Sequence, residues 1–210
     1  MPTTSLSYDQ AANKIAIAGW SNAGTTPVTY AFKSSDYSST FSRFTAAQIV
    51  AAEEALQLWS DVANIKFQRV GSGTSGNFAY SNSASILFSD ESGEGGYAWA
   101  YFAGSRAASS IDGDVFINPS NGWFTSLPRG SYDYMSILHE IGHAIGLDHP
   151  GAYNGGGTSY AMDAEYIQDS MQYTLMSYFD ARNTGADHGG MYASTPLLHD
   201  IAAAQLLYGA

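Results

Sequence analysis

Three of the five histidines in this chain fall within eleven residues, at His139, His143 and His149. In a helix, residues four apart differ by about 40° in rotation and about 6 Å in rise, so the first two imidazoles would share one face. Two neutral imidazoles placed in this way can bind one zinc ion. Glu140 projects at a neighbouring angle, from which its carboxylate can reach a metal-bound water without being a ligand. The segment therefore predicts a metal site with an adjacent base.

The third histidine requires a sharp turn of the chain. If the helix ran straight on, His149 would lie about 15 Å along the axis from His139, too far for zinc–nitrogen bonds of about 2 Å. The chain must turn after His143, and Gly146 stands where a left-handed residue would permit that turn. Three protein ligands leave a fourth coordination position open, which is typical of catalytic zinc.

Periodicity and capping signals predict the helices that position these side chains. A helix is expected over 131–145, which contains the first two histidines. A second long helix is expected over 45–62, because Thr45 and Gln48 form a capping-box pattern before a run of good helix formers. A final helix is expected over 197–207.

Five short segments rich in β-branched and aromatic residues predict strands. They cover residues 28–32, 64–70, 85–89, 97–103 and 114–118. The first 27 residues show only a weak apolar alternation, so an irregular or loosely attached arm is expected there. The order of strand, helix, strands and helix predicts an α+β fold with a mixed sheet.

Composition excludes several classes of partner and chemistry. Of 210 residues, 19 are acidic and 8 are basic; the net charge of −11 argues against nucleic acids and anionic membranes as partners. No apolar run approaches the ~20 residues that span a bilayer, and residues 1–10 lack the basic and apolar regions of a signal peptide. The absence of cysteine excludes disulfides, thiol nucleophiles and cysteine-ligated metals.

Residues 139–149 match the long zinc signature of the metzincin metallopeptidases. Pro150 directly follows it, as in the serralysin branch of that class. Residues 174–178 resemble the Met-turn of serralysins, and residues 196–209 resemble the last helix of their catalytic domain. The similarity is dense over 114–210 and weaker before that. The chain is therefore similar to a serralysin-like metzincin zinc metallopeptidase.

The resemblance implies a particular fold and domain organisation. The fold would be a metzincin-type α+β fold, with a twisted five-stranded mixed sheet and two long helices above a cleft. Residues 1–210 would form a single catalytic domain. Within it, residues 1–27 are the irregular arm, and 28–149 form an N-terminal subdomain with the sheet and active-site helix. Residues 150–210 form a mostly irregular C-terminal subdomain that ends in a helix.

The resemblance also implies roles for residues outside the histidine cluster. Glu140 would be the general base, and Met176 would lie beneath the metal. Tyr178 would be an additional metal ligand that swings away to hydrogen-bond the developing oxyanion. Asp200, like Gly146, would support the site. Serralysins usually place two adjacent aspartates at the start of the last helix, whereas this chain has His199 before the aspartate, and we expect His199 at the surface.

The segment 97–103 alternates aromatic and small residues. In the family the corresponding strand is the sheet edge above the cleft, where an extended peptide could add by backbone hydrogen bonds. This interpretation makes a set of four residues candidates for substrate binding. They are Ala98, Trp99, Ala100 and Tyr101. A plain edge strand without a binding role remains the alternative.

One catalytic Zn²⁺ is the expected cofactor. Three acidic clusters raise the alternative of Ca²⁺, namely 90–91, 112–114 and 163–165. None has the ligand spacing of an EF-hand loop, so solvated loop carboxylates are the preferred interpretation. Serralysins continue into a calcium-binding β-roll of glycine-rich repeats and an export signal, and no such repeat occurs in this sequence.

These observations predict an extracellular zinc metalloendopeptidase of broad specificity. Its partners would be protein or peptide substrates and, as in related peptidases, a proteinaceous inhibitor; no nucleic acid or membrane partner is expected, and a monomer is expected. Two alternatives stay open, a zinc-binding protein that no longer cleaves and an intracellular or periplasmic processing peptidase. Whether residues 1–27 are a propeptide is also open, but latency through a cysteine on zinc is excluded.

Overall fold

The computed structural model describes residues 2, 4–93, 96–156 and 158–210. Its helices are α1 (Tyr8–Ile15), α2 (Ala46–Val62), α3 (Tyr132–Ala144), the single turn α4 (Tyr160–Asp163) and α5 (Leu198–Tyr208). Its strands are β1 (Val28–Phe32), β2 (Phe41–Ser42), β3 (Phe67–Arg69), β4 (Ile86–Glu91), β5 (Ala98–Ala100) and β6 (Val115–Ile117). Short 3₁₀ turns cover Asn77–Ala79, Ser120–Gly122 and Ala181–Thr184.

The five predicted strands form one mixed sheet in the order β3-β1-β4-β6-β5, which confirms the predicted α+β class and the five-stranded sheet. The first four of these strands are parallel to their neighbours, and β5 runs antiparallel to β6 at one edge. The additional strand β2 pairs antiparallel with β4. It was not predicted because two residues are too few to show an alternating pattern.

The two long helices begin where the capping residues predict. The Thr45 hydroxyl accepts a hydrogen bond from the Gln48 amide, and the Gln48 side chain accepts one from the Thr45 amide. Ser131 caps α3 by accepting from the Tyr134 amide. Every residue of α3 from 134 to 144 is buried, as expected for a helix in the interior of the domain.

The predicted irregular arm is wrong for residues 8–15, which form α1. The helix begins at Ser7 with a complete capping box, and it packs against α5 through a buried face of Ala11, Ala12 and Ile15. Two of these three residues are alanines, so the apolar face is too weak to recognise in the sequence. An eight-residue helix is marginal in isolation, and the packing against α5 supplies its stability.

The chain after residue 150 is mostly irregular and ends in α5, as predicted. The predicted helix over 131–145 is shorter by one residue at each end. Three strands are shorter than predicted, since β3, β5 and β6 each contain three residues. No helix in the described ranges is long and apolar enough to span a bilayer. The division into two subdomains at residue 150 stays a prediction.

Candidate metal centre

The first two histidines of the site lie on one face of α3. His139 is buried, and its Nδ1 lies 2.7 Å from the carbonyl oxygen of Leu175. His143 is also buried, with its Nδ1 2.7 Å from the carbonyl oxygen of Leu147. A carbonyl oxygen only accepts hydrogen bonds, so Nδ1 carries the proton in each ring and Nε2 presents a lone pair. The helix therefore presents two oriented metal-binding nitrogens.

His149 completes the group from the loop after α3. Its Nε2 lies 3.2 Å from Nε2 of His139 and 3.0 Å from Nε2 of His143. A hydrogen bond with the backbone of Tyr153 raises the pKa of His149 against the larger effect of burial, and the three Nε2 atoms converge on one point. A tetrahedral zinc ion with bonds of about 2.0–2.1 Å separates its nitrogen ligands by about 3.3 Å. The three side chains therefore fit a zinc ion.

The electrostatics of the site favour a bound cation. Burial, reinforced by the neighbouring imidazoles, lowers the pKa of all three histidines to about 3. The rings are therefore neutral at physiological pH, which is the state that ligates metal. Within the described part of the chain, they are the one group of histidine, cysteine or acidic side chains close enough together to hold an ion.

The carboxylate of Glu140 is buried beside the three imidazoles. Burial raises its pKa to about 8, and Oε2 has no hydrogen-bond partner among the described residues. Glu140 lines the cleft that contains the three histidines, in a cavity of about 410 Å³. A buried, unpaired carboxylate in this position has the features of a general base.

The turn that carries His149 requires glycine for two reasons. Gly146 has a φ of 99°, in the left-handed region, as the sequence predicts. A Cβ atom at this position would also lie 2.2 Å from the carbonyl oxygen of Ala18. The N-terminal segment therefore runs directly over the turn.

Residues 15–18 pair with this turn. The Ile17 amide donates to the Gly146 carbonyl at 2.9 Å, and the Asp148 amide donates to the Ile15 carbonyl at 2.7 Å. Sequence reasoning missed this contact because the two segments are more than 120 residues apart and each hydrogen bond is between backbone groups. No side-chain pattern could have indicated it.

Two aromatic side chains extend this support. The Trp20 indole donates to the Ala144 carbonyl at 2.8 Å, and the Tyr208 hydroxyl donates to the Ile145 carbonyl at 2.6 Å. The same hydroxyl accepts from the Trp20 amide at 3.0 Å. The end of α3 is therefore connected to both the N-terminal segment and α5.

Asp200 lies under the Met-turn, where the family resemblance places it. Its carboxylate accepts from the Thr174 hydroxyl at 2.5 Å and from the Leu175 amide at 2.8 Å. The carbonyl of the same Leu175 accepts from His139 Nδ1, so Asp200 supports a candidate ligand through one residue. Burial raises the pKa of Asp200 to about 6, although these hydrogen bonds lower it.

Met176 and Tyr178 both lie close to the histidine group. A Cβ atom on Gly142 would be 2.7 Å from the Met176 sulfur, so glycine in α3 allows the methionine to pack directly against the helix. The ring of Tyr178 is centred 4.5 Å from that of His149 and 6.0 Å from that of His139. Burial raises the pKa of Tyr178 above its usual value, so the phenol keeps its proton at neutral pH.

The expectation that His199 lies at the surface is wrong. The residue is 3% exposed, and its ring stacks on Tyr173 with centroids 5.4 Å apart. Burial lowers its pKa to about 4. The first turn of α5 packs against the irregular segment before the Met-turn. His199 lies in this turn, beside the buried Asp200, and therefore also faces the interior.

Three of the four candidate substrate-binding residues line the cleft. Ala98, Trp99 and Ala100 border it, whereas Tyr101 does not and instead packs edge-on against Phe116. Phe102, which the sequence interpretation did not select, also lines the cleft and contacts the ring of His143. The binding role of these residues stays a prediction.

The backbone of β5 presents hydrogen-bonding groups on its outer side. The Tyr97 carbonyl and the Tyr101 amide bond to residues flanking β6, at 3.0 Å each. Because backbone groups alternate in direction along a strand, the amides and carbonyls of Ala98 and Ala100 point away from β6. In the described sheet no strand pairs with this edge.

Solvated loop carboxylates were expected in the acidic clusters, and this is wrong for Asp90 and Asp114. Asp90 lies in β4, is 3% exposed and accepts from the Gln48 side chain. Asp114 is 4% exposed and accepts from the Leu87 amide. Burial raises the pKa of both carboxyls to about 7. Their contacts connect elements of the core.

Three convergent neutral imidazoles beside a buried glutamate, in an α+β domain with a cleft, are the arrangement of a metzincin-class zinc metallopeptidase. A family model described as Matrixin matches residues 19–163. The chain belongs to this family of zinc-dependent peptidases.

The chain is also similar to curated bacterial metalloproteases. It is 41% identical to Serralysin C of Dickeya chrysanthemi over 174 residues, which cover 81% of this chain and 35% of that protein. It is 39% identical to Metalloprotease AprA of Pseudomonas entomophila (strain L48) over 225 residues, which cover 98% of this chain and 45% of that protein. Serralysin of Photorhabdus luminescens is 39% identical over 82% of this chain. The chain therefore spans less than half the length of these relatives.

Proposed function

We propose that this domain hydrolyses internal peptide bonds of protein substrates with the aid of one zinc ion held by His139, His143 and His149. The observation that carries the proposal is the convergence of three unprotonated Nε2 atoms beside an unpaired, buried carboxylate at the base of a cleft. When bound, zinc lowers the pKa of a water molecule and polarises a carbonyl group.

Glu140 is the proposed general base. Its Oε2 atom takes a proton from the attacking water and returns it to the nitrogen of the departing amine. Burial raises the pKa of this carboxyl, and a zinc ion held beside it would lower the pKa again, which would keep the carboxylate ionised and able to accept the proton. The same burial excludes bulk water, which would otherwise compete for the proton.

Tyr178 is the proposed donor to the developing oxyanion. Its ring packs beside His149, and its protonated phenol can donate a hydrogen bond to an oxygen in the cleft. We also propose the Met-turn and Asp200 as the support of this residue and of His139, because Asp200 bonds to the turn that contains Leu175.

Substrate binding is proposed at the outer edge of β5. The backbone groups of Ala98 and Ala100 would pair with an extended peptide, which depends little on the identity of its side chains and suits broad specificity. We further propose, from the similarity to serralysins, that the protein acts outside the cell as a monomer.

The test is cleavage of casein by Glu140→Gln. We expect a loss of about 10²–10⁴-fold in kcat/KM, because the amide cannot accept the proton, with an unchanged zinc content. Glu91→Gln is the matched control, since this carboxylate accepts from the hydroxyls of Ser38 and Thr40 and does not line the cleft. A chelator should abolish cleavage by the wild-type protein. Undiminished turnover by Glu140→Gln would overturn the proposal.

A further inference from the structure

Tyr153 lies against the candidate metal site, and neither the motifs nor the family resemblance gave it a role. Its side chain is 5% exposed. Its ring stacks on that of His149, with centroids 5.6 Å apart and planes at 22°, and it lies 5.2 Å from the ring of Tyr178. The Tyr153 backbone also forms a hydrogen bond with the His149 ring. One residue therefore contacts the third histidine through both its backbone and its side chain.

The hydroxyl of Tyr153 is held in place by a hydrogen bond to a second buried side chain. It donates to Asp169 Oδ1 at 2.7 Å, in a fully buried position. Burial raises the pKa of Asp169, and hydrogen bonds from the Ser177 side chain, from Tyr153 and from the Glu165 backbone act in the opposite direction. Removal of the Tyr153 hydroxyl would leave this buried carboxylate with one donor fewer, so the bond keeps the two side chains in one arrangement.

Asp169 also belongs to the segment that leads into the Met-turn. The next residue, Ser170, accepts through its carbonyl from the Thr174 amide at 3.1 Å, and Met171 donates to the Phe179 carbonyl at 2.8 Å. The bond from Tyr153 to Asp169 therefore joins the loop that follows His149 to the segment that presents Tyr178.

We infer that Tyr153 and Asp169 form a positioning pair that holds the ring of His149 and the resting position of Tyr178. The inference rests on the proposed function, since it assigns these residues to the same zinc site. Stacking restricts rotation of the imidazole ring, and the hydroxyl bond prevents the tyrosine from moving with it. Partners of this kind orient metal ligands and are as important to the site as the ligands themselves.

The need for such a pair follows from where the ligands lie. His139 and His143 are held by the backbone of α3, and each donates to a carbonyl in a packed segment. His149 lies on a loop outside any helix or strand. Its orientation therefore depends on side chains packed against it.

The test is Tyr153→Phe, which keeps the ring and removes the hydroxyl. We expect the dissociation constant for zinc to rise about 10-fold, and kcat to fall with KM unchanged. The visible spectrum of the Co²⁺-substituted protein should also change, because it reports ligand geometry. Tyr160→Phe is the matched control, since its hydroxyl also donates to the C-terminal region, at the Ile167 carbonyl. The control should match the wild type in all three measurements.

Substitutions of Asp169 test whether its carboxylate positions Tyr153 or only contributes to the stability of the domain. Asp169→Asn keeps an oxygen that can accept from Tyr153 and should bind zinc nearly as the wild type does, whereas Asp169→Leu should weaken zinc binding as Tyr153→Phe does. The inference is overturned if Tyr153→Phe binds zinc as tightly as Tyr160→Phe with the same Co²⁺ spectrum. Zinc binding is measured without substrate, so this test does not depend on cleavage. If the wild type cleaves no protein substrate and Tyr153→Phe still binds zinc more weakly than the wild type, the proposed function is contradicted and the positioning pair is supported.

Discussion

The two halves of the zinc site are built in different ways. The half on α3 has two histidines whose separation follows from helix geometry and whose helix is buried on all sides from residue 134 to 144. The half on the following loop has one histidine, and its position depends on contacts from residues 15–18, from Tyr153 and from the segment around Asp169. Local helical periodicity is enough to position the two histidines of the first half. The second half is assembled from distant parts of the chain.

This difference indicates where the site is vulnerable. A change in α3 that preserves helix and packing should leave its two ligands in place. A change in the loop or in the segments that support it should move His149 first. Three substitutions, in order of expected effect, test this view.

Gly146→Ala should have the largest effect. The φ of 99° is unfavourable for alanine, and the new Cβ would lie 2.2 Å from the Ala18 carbonyl oxygen, so the N-terminal segment must separate from the turn. We expect a loss of about 3 kcal/mol or more in the free energy of unfolding, together with weaker zinc binding. Urea denaturation and zinc titration measure the two effects.

Gly185→Ala provides the control for backbone conformation alone. Gly185 has a φ of 93°, close to that of Gly146, and no atom lies within 4 Å of the position of its Cβ. Its replacement should cost only about 1 kcal/mol and leave zinc binding unchanged. Equal losses for the two glycines would show that the contact with Ala18 is unimportant.

His199→Phe should change the pH dependence of stability. In the wild type, burial lowers the pKa of His199 from 6.5 to about 4, so below pH 6.5 the unfolded chain binds a proton that the folded chain does not. The free energy of unfolding contributed by this residue is therefore lost as the pH falls from about 6.5 to 4.

Phenylalanine keeps the stacking on Tyr173 and has no proton to bind. The stability of the wild type relative to the variant should decrease by about 3 kcal/mol over this pH range, while zinc binding at neutral pH stays the same. Denaturation curves at several pH values provide the measurement. Parallel pH profiles for the two proteins would be inconsistent with a buried, neutral His199.

Ile17→Pro should have the smallest of the three effects. Proline removes the amide that donates to the Gly146 carbonyl, and the Ile17 side chain is 50% exposed, so little packing is lost. We expect a loss of about 1–2 kcal/mol in the free energy of unfolding and a measurable decrease in zinc affinity. Ile17→Ala keeps the amide and is the control. If both variants bind zinc equally well, the N-terminal segment does not support the turn.

Much of the fold was predictable because its signals are local. Helices α2 and α3 each have an N-capping residue and helical periodicity. The five strands have β-branched and aromatic residues between turn signals. The three histidines were predictable for the same reason, since their spacing and the glycine between them constrain the chain geometry.

The features that sequence reasoning missed depend on tertiary contacts. Helix α1 is stabilised by packing on α5 and has few large apolar residues of its own. Tyr153 and Asp169 meet only because the C-terminal loops fold back on themselves, and nothing in their types or spacing indicates the pair. His199 was wrongly predicted at the surface, because a neighbouring aspartate does not indicate which face of a helix is buried.

The hydroxyl of Tyr208 has a consequence for the order in which the candidate zinc site is completed. It accepts from the amide of Trp20, which lies 188 residues earlier in the sequence, and donates to the Ile145 carbonyl at the end of α3. Contacts between such distant residues form late in folding, because a long loop must close first. On the ribosome, a chain that has not yet reached residue 208 lacks this connection around the turn of the third histidine. Synthesis of α5 is therefore needed to complete the support of the candidate zinc site.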